Sequence, residues 1–196
     1  MDTDDLLAER EITRVLVTYC RGSDRCDAES LLAAYHDDAW EDHGGSFRGT
    51  VQDYVAWVIP YVRERFVATQ HTLHNILIDL DGDQARVESH CVAHHVRRSP
   101  DGGDPVMDVF GCRYIDLFER RDGVGWRIAH RVVVREWQLR QPMLSPDDQA
   151  PGYLTGRRDR SDLVFAPELP RRKATSSGLA SEHPAAAARG NAGPKA

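Results

Sequence analysis

Histidine is the side chain best suited to moving protons near neutral pH, and this sequence carries nine of them. Three, His90, His94 and His95, cluster in a way that invites a metal site. On an extended strand, however, positions 90 and 94 stand about 13 Å apart at roughly 3.3 Å per residue, and 94 and 95 face opposite sides. One ion cannot use all three, so no metal is expected. His95 shares a strand face with Val87, Ser89 and Cys91, which makes it the member of the cluster placed to line a pocket. His71 opens the segment QHTLHNILIDL, where alternation puts it on one face with Leu73, Asn75 and Leu77 and turns His74 away. His43 follows an acidic turn and precedes two glycines, reading either as a solvated loop histidine or as a second acid facing a cavity.

Two further residues have a structural and a chemical reading. Tyr19 lies on an apolar helical stripe, as a core tyrosine or as a hydrogen-bond donor to a substrate oxygen or leaving group. Arg131 sits among Trp126, Ile128, Val132 and Val134, paired with an acid such as Glu136 or Asp116, or else binding a substrate carboxylate or enolate. No phosphate-cradling glycine loop is present, so no organic cofactor is expected.

These groups need a scaffold, and the pattern supplies one. Between Asp4 and Arg21 the residues Ile12, Val15, Leu16, Tyr19 and Cys20 recur at helical spacing, with Gly22 where the helix would stop. Asp27 reads as the N-cap of a short second helix with Leu31, Leu32 and Tyr35, followed by an extended piece, DDAWEDHGG. Thr50 and Asp53 form a capping pattern ahead of a third helix striped by Val51, Tyr54, Val55, Val58 and Val62, which Pro60 should kink. From about Thr69 the period changes to that of strands, four long ones joined partly by Asp-Gly turns into an antiparallel meander. Helices followed by a strongly curved sheet make an α+β roll with a cone-shaped cavity.

Composition narrows the class of partner. Of 196 residues, 25 are basic and 31 acidic, a net charge of -6 that repels polyphosphate and argues against nucleic acid. The four cysteines, Cys20, Cys26, Cys91 and Cys112, form no CxxC pair and read as buried hydrophobes or pocket walls. No run approaches the roughly 18 apolar residues of a membrane span, and the N-terminal MDTDDLLAERE is acidic, so no membrane association and a cytoplasmic location are expected. The domain is expected over residues 1–143, an extension that docks as a lid over 144–170, and a disordered tail over 171–196.

The stretch ITRVLVTYCRGSDRCD, the opening TQHTLHN of the first long strand, and the block GCRYIDLFERRDGVGWRIAHR together resemble the SnoaL-like group of the NTF2-like superfamily, over residues 5 to 140. The resemblance implies an Asp-His pair in the cavity, at Asp24 and His71. It implies a pocket tyrosine at Tyr19 and places His43 where one member has a second pocket tyrosine, a departure that prevents transfer of a substrate. Arg131 resembles the family's pocket arginine, and His95 a second pocket histidine. Its members are commonly dimers or trimers, which agrees with an apolar outer sheet face at Val132, Val134 and Trp137. The function expected is a cofactor-independent lyase, of dehydratase, isomerase or cyclase type, acting on an apolar cyclic small molecule. The catalytic set would be His71, Asp24 and Tyr19, with His43, His95, Arg131 and Asn75 on the substrate. The alternative is a non-catalytic binding module, or the small subunit of a ring-hydroxylating dioxygenase-type assembly.

Overall fold

The computed structural model describes residues 2–97, 99, 103–143 and 153–169. Met1–Ala166 form one compact unit and Pro167–Ala196 a second, of which only Pro167–Leu169 are among the described residues.

Helix α1 (Thr3–Arg25) starts in a capping box, with the Asp2 side chain taking the N–H groups of Asp4 and Asp5. Its buried face carries Ile12, Leu16, Tyr19 and Cys20, as the periodicity predicts. The helix does not stop at Gly22. It runs on to Arg25 and ends where Cys26 adopts a left-handed conformation (φ 50°) and returns its N–H to Gly22 and Ser23. Gly22 serves a different need: a Cβ there would stand 2.9 Å from the Leu31 backbone nitrogen of the short helix α2 (Ala28–Leu32). Asp24 is thereby carried on the last turn of α1, buried, and not just beyond the helix.

Helix α3 (Val51–Arg65) is capped by the Thr50 side chain, accepts Pro60 inside it, and buries Val51, Tyr54, Val55, Val58 and Val62. The strands are β1 (Tyr35–Asp42), β2 (Arg48–Thr50), β3 (Phe66–Asp81), β4 (Gln84–Arg97), β5 (Val106–Arg121) and β6 (Gly125–Pro142). They form one curved, unclosed sheet in the order β2-β1-β6-β5-β4-β3. The expected meander is β3 to β6, and β1 joins it in parallel beside β6, so β1 and β3 lie toward opposite edges of the sheet. Helices and concave sheet face enclose Ile12, Leu16, Leu31, Val87, Phe118, Trp126 and Ile128, all essentially inaccessible, and burying each such side chain contributes about 1.5 to 3 kcal/mol.

Two of the sheet's register shifts bear on the candidate residues. In β3 the register slips between His74 and Ile76, so Asn75 has no partner on β4. His71 and Leu73 point inward before this bulge, whereas Ile76, Ile78 and Leu80 pack on the core after it. Asn75 is therefore exposed, not a pocket residue, and Leu77 is 61% exposed. In β6 a second slip, opposite Gly111 and Cys112, brings Trp137 into phase with the outward Val132 and Val134 and lays its indole over Gly111.

The described part of the C-terminal extension docks chiefly through arginines, with Phe165 half-buried beside Ile59. Arg158 Nη1 donates to the carbonyls of Val62 (3.1 Å) and Phe66 (2.7 Å) at the end of α3. Arg25 reaches Asp162 at 3.2 Å, and Arg160 reaches Asp27 and Glu29 at 3.0 and 2.6 Å. Tyr153 and Leu154 stay exposed, and none of the described residues of the extension lines the main cavity. The expected tail, 171–196, lies outside the described residues. No helix among the described residues is long and apolar enough to cross a membrane.

Candidate active site

A cavity of about 610 Å³ lies between the helices and the concave sheet face and falls within the range of small-molecule sites. Aromatic rings supply much of its wall, and the polar groups gather in two places.

At the β3 and β4 side stands His71. Its Nδ1 lies 2.7 Å from Asp24 Oδ1, and its own backbone N–H donates to the other carboxylate oxygen at 3.0 Å. The double attachment fixes the ring and assigns the Nδ1 proton to the carboxylate contact, which leaves Nε2 as a lone-pair base. The pair comes together because α1 overruns Gly22 to carry Asp24, while β3 brings His71 inward ahead of the bulge. His95 packs edge-on against His71 with ring centroids 5.3 Å apart, and also against Phe66 and Phe110. Burial, assisted by the neighbouring His71, pushes the His95 imidazole down to about 3, so it is a neutral wall. His94, its neighbour, faces the other side of β4, and His90 is exposed beside Glu88. Among the described residues no three His, Cys, Asp or Glu groups are arranged to hold a metal ion.

At the β1 and α3 side stands His43, held in the turn between β1 and β2 by a hydrogen bond from its N–H to the Phe47 carbonyl. Gly44 follows with φ 61°, the left-handed geometry this tight turn requires. The imidazole stacks on Tyr54 (5.0 Å, 16°), and its Nδ1 lies 3.0 Å from Oε1 of the fully buried Glu41.

Between these two places the Tyr19 and Tyr54 hydroxyls share a hydrogen bond of 2.8 Å. Only one of the two protons is used in that bond, so the other is available to a ligand. Burial holds Tyr19, Tyr54, Tyr35 and Tyr114 well above the usual phenol range, so all four stay neutral donors.

Arg131 does not reach the cavity. It is fully buried beneath it, bonded through Nε and Nη2 to Asp116 (2.7 and 2.6 Å) and held 4.2 Å from the ring centres of Tyr19 and Tyr114. Burial pushes the Asp116 carboxyl up and Arg131 opposes it. The guanidinium thus supplies a positive field behind Tyr19, not a contact to a substrate carboxylate or enolate. Cys112 does line the cavity; Cys91 lies beneath it, its thiol pushed up to about 11 by burial.

The structure therefore brings Asp24, His71, Tyr19, His43 and His95 together and leaves out Asn75 and Arg131. Sequence reasoning missed Tyr54 and Glu41 as site residues. Tyr54 was legible only as a core position. Glu41 sits two residues before His43, the spacing that puts both on one face of an extended chain.

The SnoaL-like domain matches residues 4–132. No curated protein matches the chain. Among solved structures, a Novosphingobium aromaticivorans protein provisionally designated a scytalone dehydratase is 24% identical. It covers 76% of this chain and 99% of its own, with a TM-score of 0.62. The Kribbella flavida protein Kfla4162 is 21% identical over 69% of this chain and 95% of its own, with a TM-score of 0.59. A hexachlorocyclohexane dehydrochlorinase, LinA type 2, is 18% identical over 78% of this chain and all of its own, with a TM-score of 0.60. At these identities the likeness establishes the fold, and the domain match establishes that the chain belongs to the SnoaL-like family, with the NTF2-like α+β cone.

Proposed function

We propose that this member of the SnoaL-like family is a cofactor-independent lyase acting on an apolar cyclic small molecule, with His71 as general base. The observation that carries the reading is the 2.7 Å contact between His71 Nδ1 and Asp24 inside an aromatic-walled cavity. His71 Nε2 takes a proton from a C–H next to an electron-withdrawing group. Asp24 keeps the ring in the required tautomer and stabilises the imidazolium that forms. The spare hydroxyl proton of the Tyr19 and Tyr54 pair stabilises the developing oxyanion, with the Arg131 charge behind it. Neutral His95 places no competing cation beside His71 and offers a flat wall to the substrate.

Dehydration, isomerisation and ring closure all begin with this proton transfer, and dehydration is the instance we favour. A non-catalytic module would have no need of a close carboxylate on His71, so the contact speaks for the enzyme. The outward Val132, Val134 and Trp137, the last 47% exposed, support a homo-oligomer, dimer or trimer, and a monomer mass in light scattering at micromolar concentration would refute it.

The test is exchange of the α-proton and elimination, followed by NMR in D₂O on cyclic β-substituted ketones. His71→Ala is expected to lose about 10³-fold or more, while exhaustive chelation changes little. Full activity in His71→Ala, or activity lost on chelation and restored by added metal, would overturn the reading.

A further inference from the structure

The buried groups beneath the cavity do not balance in charge. Glu41 and Asp116 are both buried, at 0% and 1% exposure, beside a single buried guanidinium, Arg131. Arg131 commits two of its donors to Asp116. Glu41 is left with the Tyr35 hydroxyl on Oε2 (2.5 Å) and with His43 Nδ1 facing Oε1 at 3.0 Å. The His43 contact is at ion-pair distance but is not a straight hydrogen bond, and neither of its two atoms has another partner among the described residues. A buried carboxylate demands a compensating charge. Among the described residues the basic side chain at ion-pair distance from Glu41 is His43, so the carboxylate positions an imidazole at the cavity wall.

The position of His43 fits the same idea. Its ring is set by the stack on Tyr54, with Nδ1 toward Glu41 and the imidazole lining the cavity. It enters from the turn after β1, whereas His71 enters from β3 at the opposite edge of the sheet, so the two imidazoles approach a ligand from different directions.

Resting on the lyase reading above, we propose that His43, positioned by Glu41, is the proton donor to the leaving group, and that the site is built for substrates whose leaving group is a hydroxyl. The proton on the carbon next to the carbonyl passes to His71. The electron pair of that C–H bond forms the C=C bond, the C–O bond breaks with its pair on oxygen, and the His43 proton completes the departing water. His71 then holds one extra proton and His43 one fewer, and exchange with solvent through the cavity mouth restores both. A hydroxide leaving group needs this donor, and an aryloxide stable as an anion does not. Glu41 acts through His43 and is a positioning residue.

The experiment compares the full chain with His43→Gln, Glu41→Gln and His71→Ala on 3-hydroxyindan-1-one and 3-(4-nitrophenoxy)indan-1-one. Both yield indenone, releasing water or 4-nitrophenolate. The expected result for His43→Gln is a kcat loss of about 100-fold or more on the hydroxy compound and less than about 10-fold on the aryloxy compound. Glu41→Gln should show the same leaving-group dependence at smaller amplitude, with KM nearly constant. A purely structural role for Glu41 would lower both substrates equally. Equal losses on the two substrates, or no loss on the hydroxy compound, would overturn the donor role and leave the lyase reading standing. Undiminished elimination of both compounds by His71→Ala, or no turnover of either by the wild-type chain, would overturn the lyase reading itself. Circular dichroism and thermal melting of each variant establish that the loss is not one of folding.

Discussion

Two histidines line the cavity, each backed by a buried carboxylate, and the two pairs are built in different ways. Asp24 and His71 are 47 residues apart, joined by two hydrogen bonds, one from the ring and one from the backbone. Glu41, at the end of β1, and His43, in the turn after it, are two residues apart and joined by one ion-pair contact, with the imidazole braced by an aromatic stack. The first arrangement holds both the ring and the backbone of His71 on one carboxylate, the geometry the proposed base requires. The second holds the ring by the Tyr54 stack and a single carboxylate contact, which is the geometry the proposed donor would use. Burial differs in the same sense: the His71 side chain is 9% exposed and that of His43 is 23%. What separates the pairs is therefore how firmly each imidazole is held, since the residue types are nearly the same.

The sharpest way to break that comparison is to remove the anchored pair. His71→Ala should reduce kcat for elimination by about 10³-fold to 10⁴-fold, and Asp24→Asn by about tenfold less, because asparagine keeps the shape but not the charge that favours imidazolium. Equal rates for Asp24→Asn and wild type would show that the double attachment contributes geometry alone.

The two buried carboxylates under the floor extend the comparison to stability. Asp116→Ala should cost about 3 to 5 kcal/mol in urea unfolding, since it leaves Arg131 buried and uncompensated. Glu41→Gln keeps an acceptor for Tyr35 and should stay within about 1 kcal/mol of wild type. Reversal of this order would mean that Arg131 is compensated by Glu41 and not by Asp116.

His95 tests the neutral wall on the base side. Its imidazole is lowered to about 3 from an ordinary 6.5, so the unfolded chain binds a proton that the folded one refuses. Stability therefore falls as the pH drops below the ordinary value, by at most about 1.4 kcal/mol per pH unit, until the folded group also protonates. His95→Phe removes this contribution, and the acid-unfolding midpoint should move to lower pH. A midpoint unchanged or shifted upward would contradict a neutral, buried His95.

The smallest effect is expected furthest from the chemistry. Arg158→Ala releases two carbonyls at the end of α3 and should lower unfolding stability by about 1 kcal/mol. Elimination rates should not change, because none of the described residues of the extension lines the cavity. A large loss of activity would make the extension part of the site after all.

Much of this molecule was legible along the chain. Helical and strand periods located α1, α3 and the meander, because one face of each must be buried and its apolar residues recur at 3.6 or 2 positions. Those periods also placed Tyr19 inward. The Asp24 and His71 pairing came only through resemblance, since no local pattern connects residues 47 apart. What the sequence could not display were the events that interrupt a period. A bulge at Asn75 reversed the faces of β3, and an overrun through Gly22 put Asp24 on a helix. Alternation assumes unbroken pairing, and a one-residue slip inverts every side chain beyond it. The placement of Arg131 was a tertiary decision for another reason: its residue type allowed a substrate contact or an ion pair, and only the packed positions of Asp116, Tyr19 and Tyr114 decided for burial beneath the cavity.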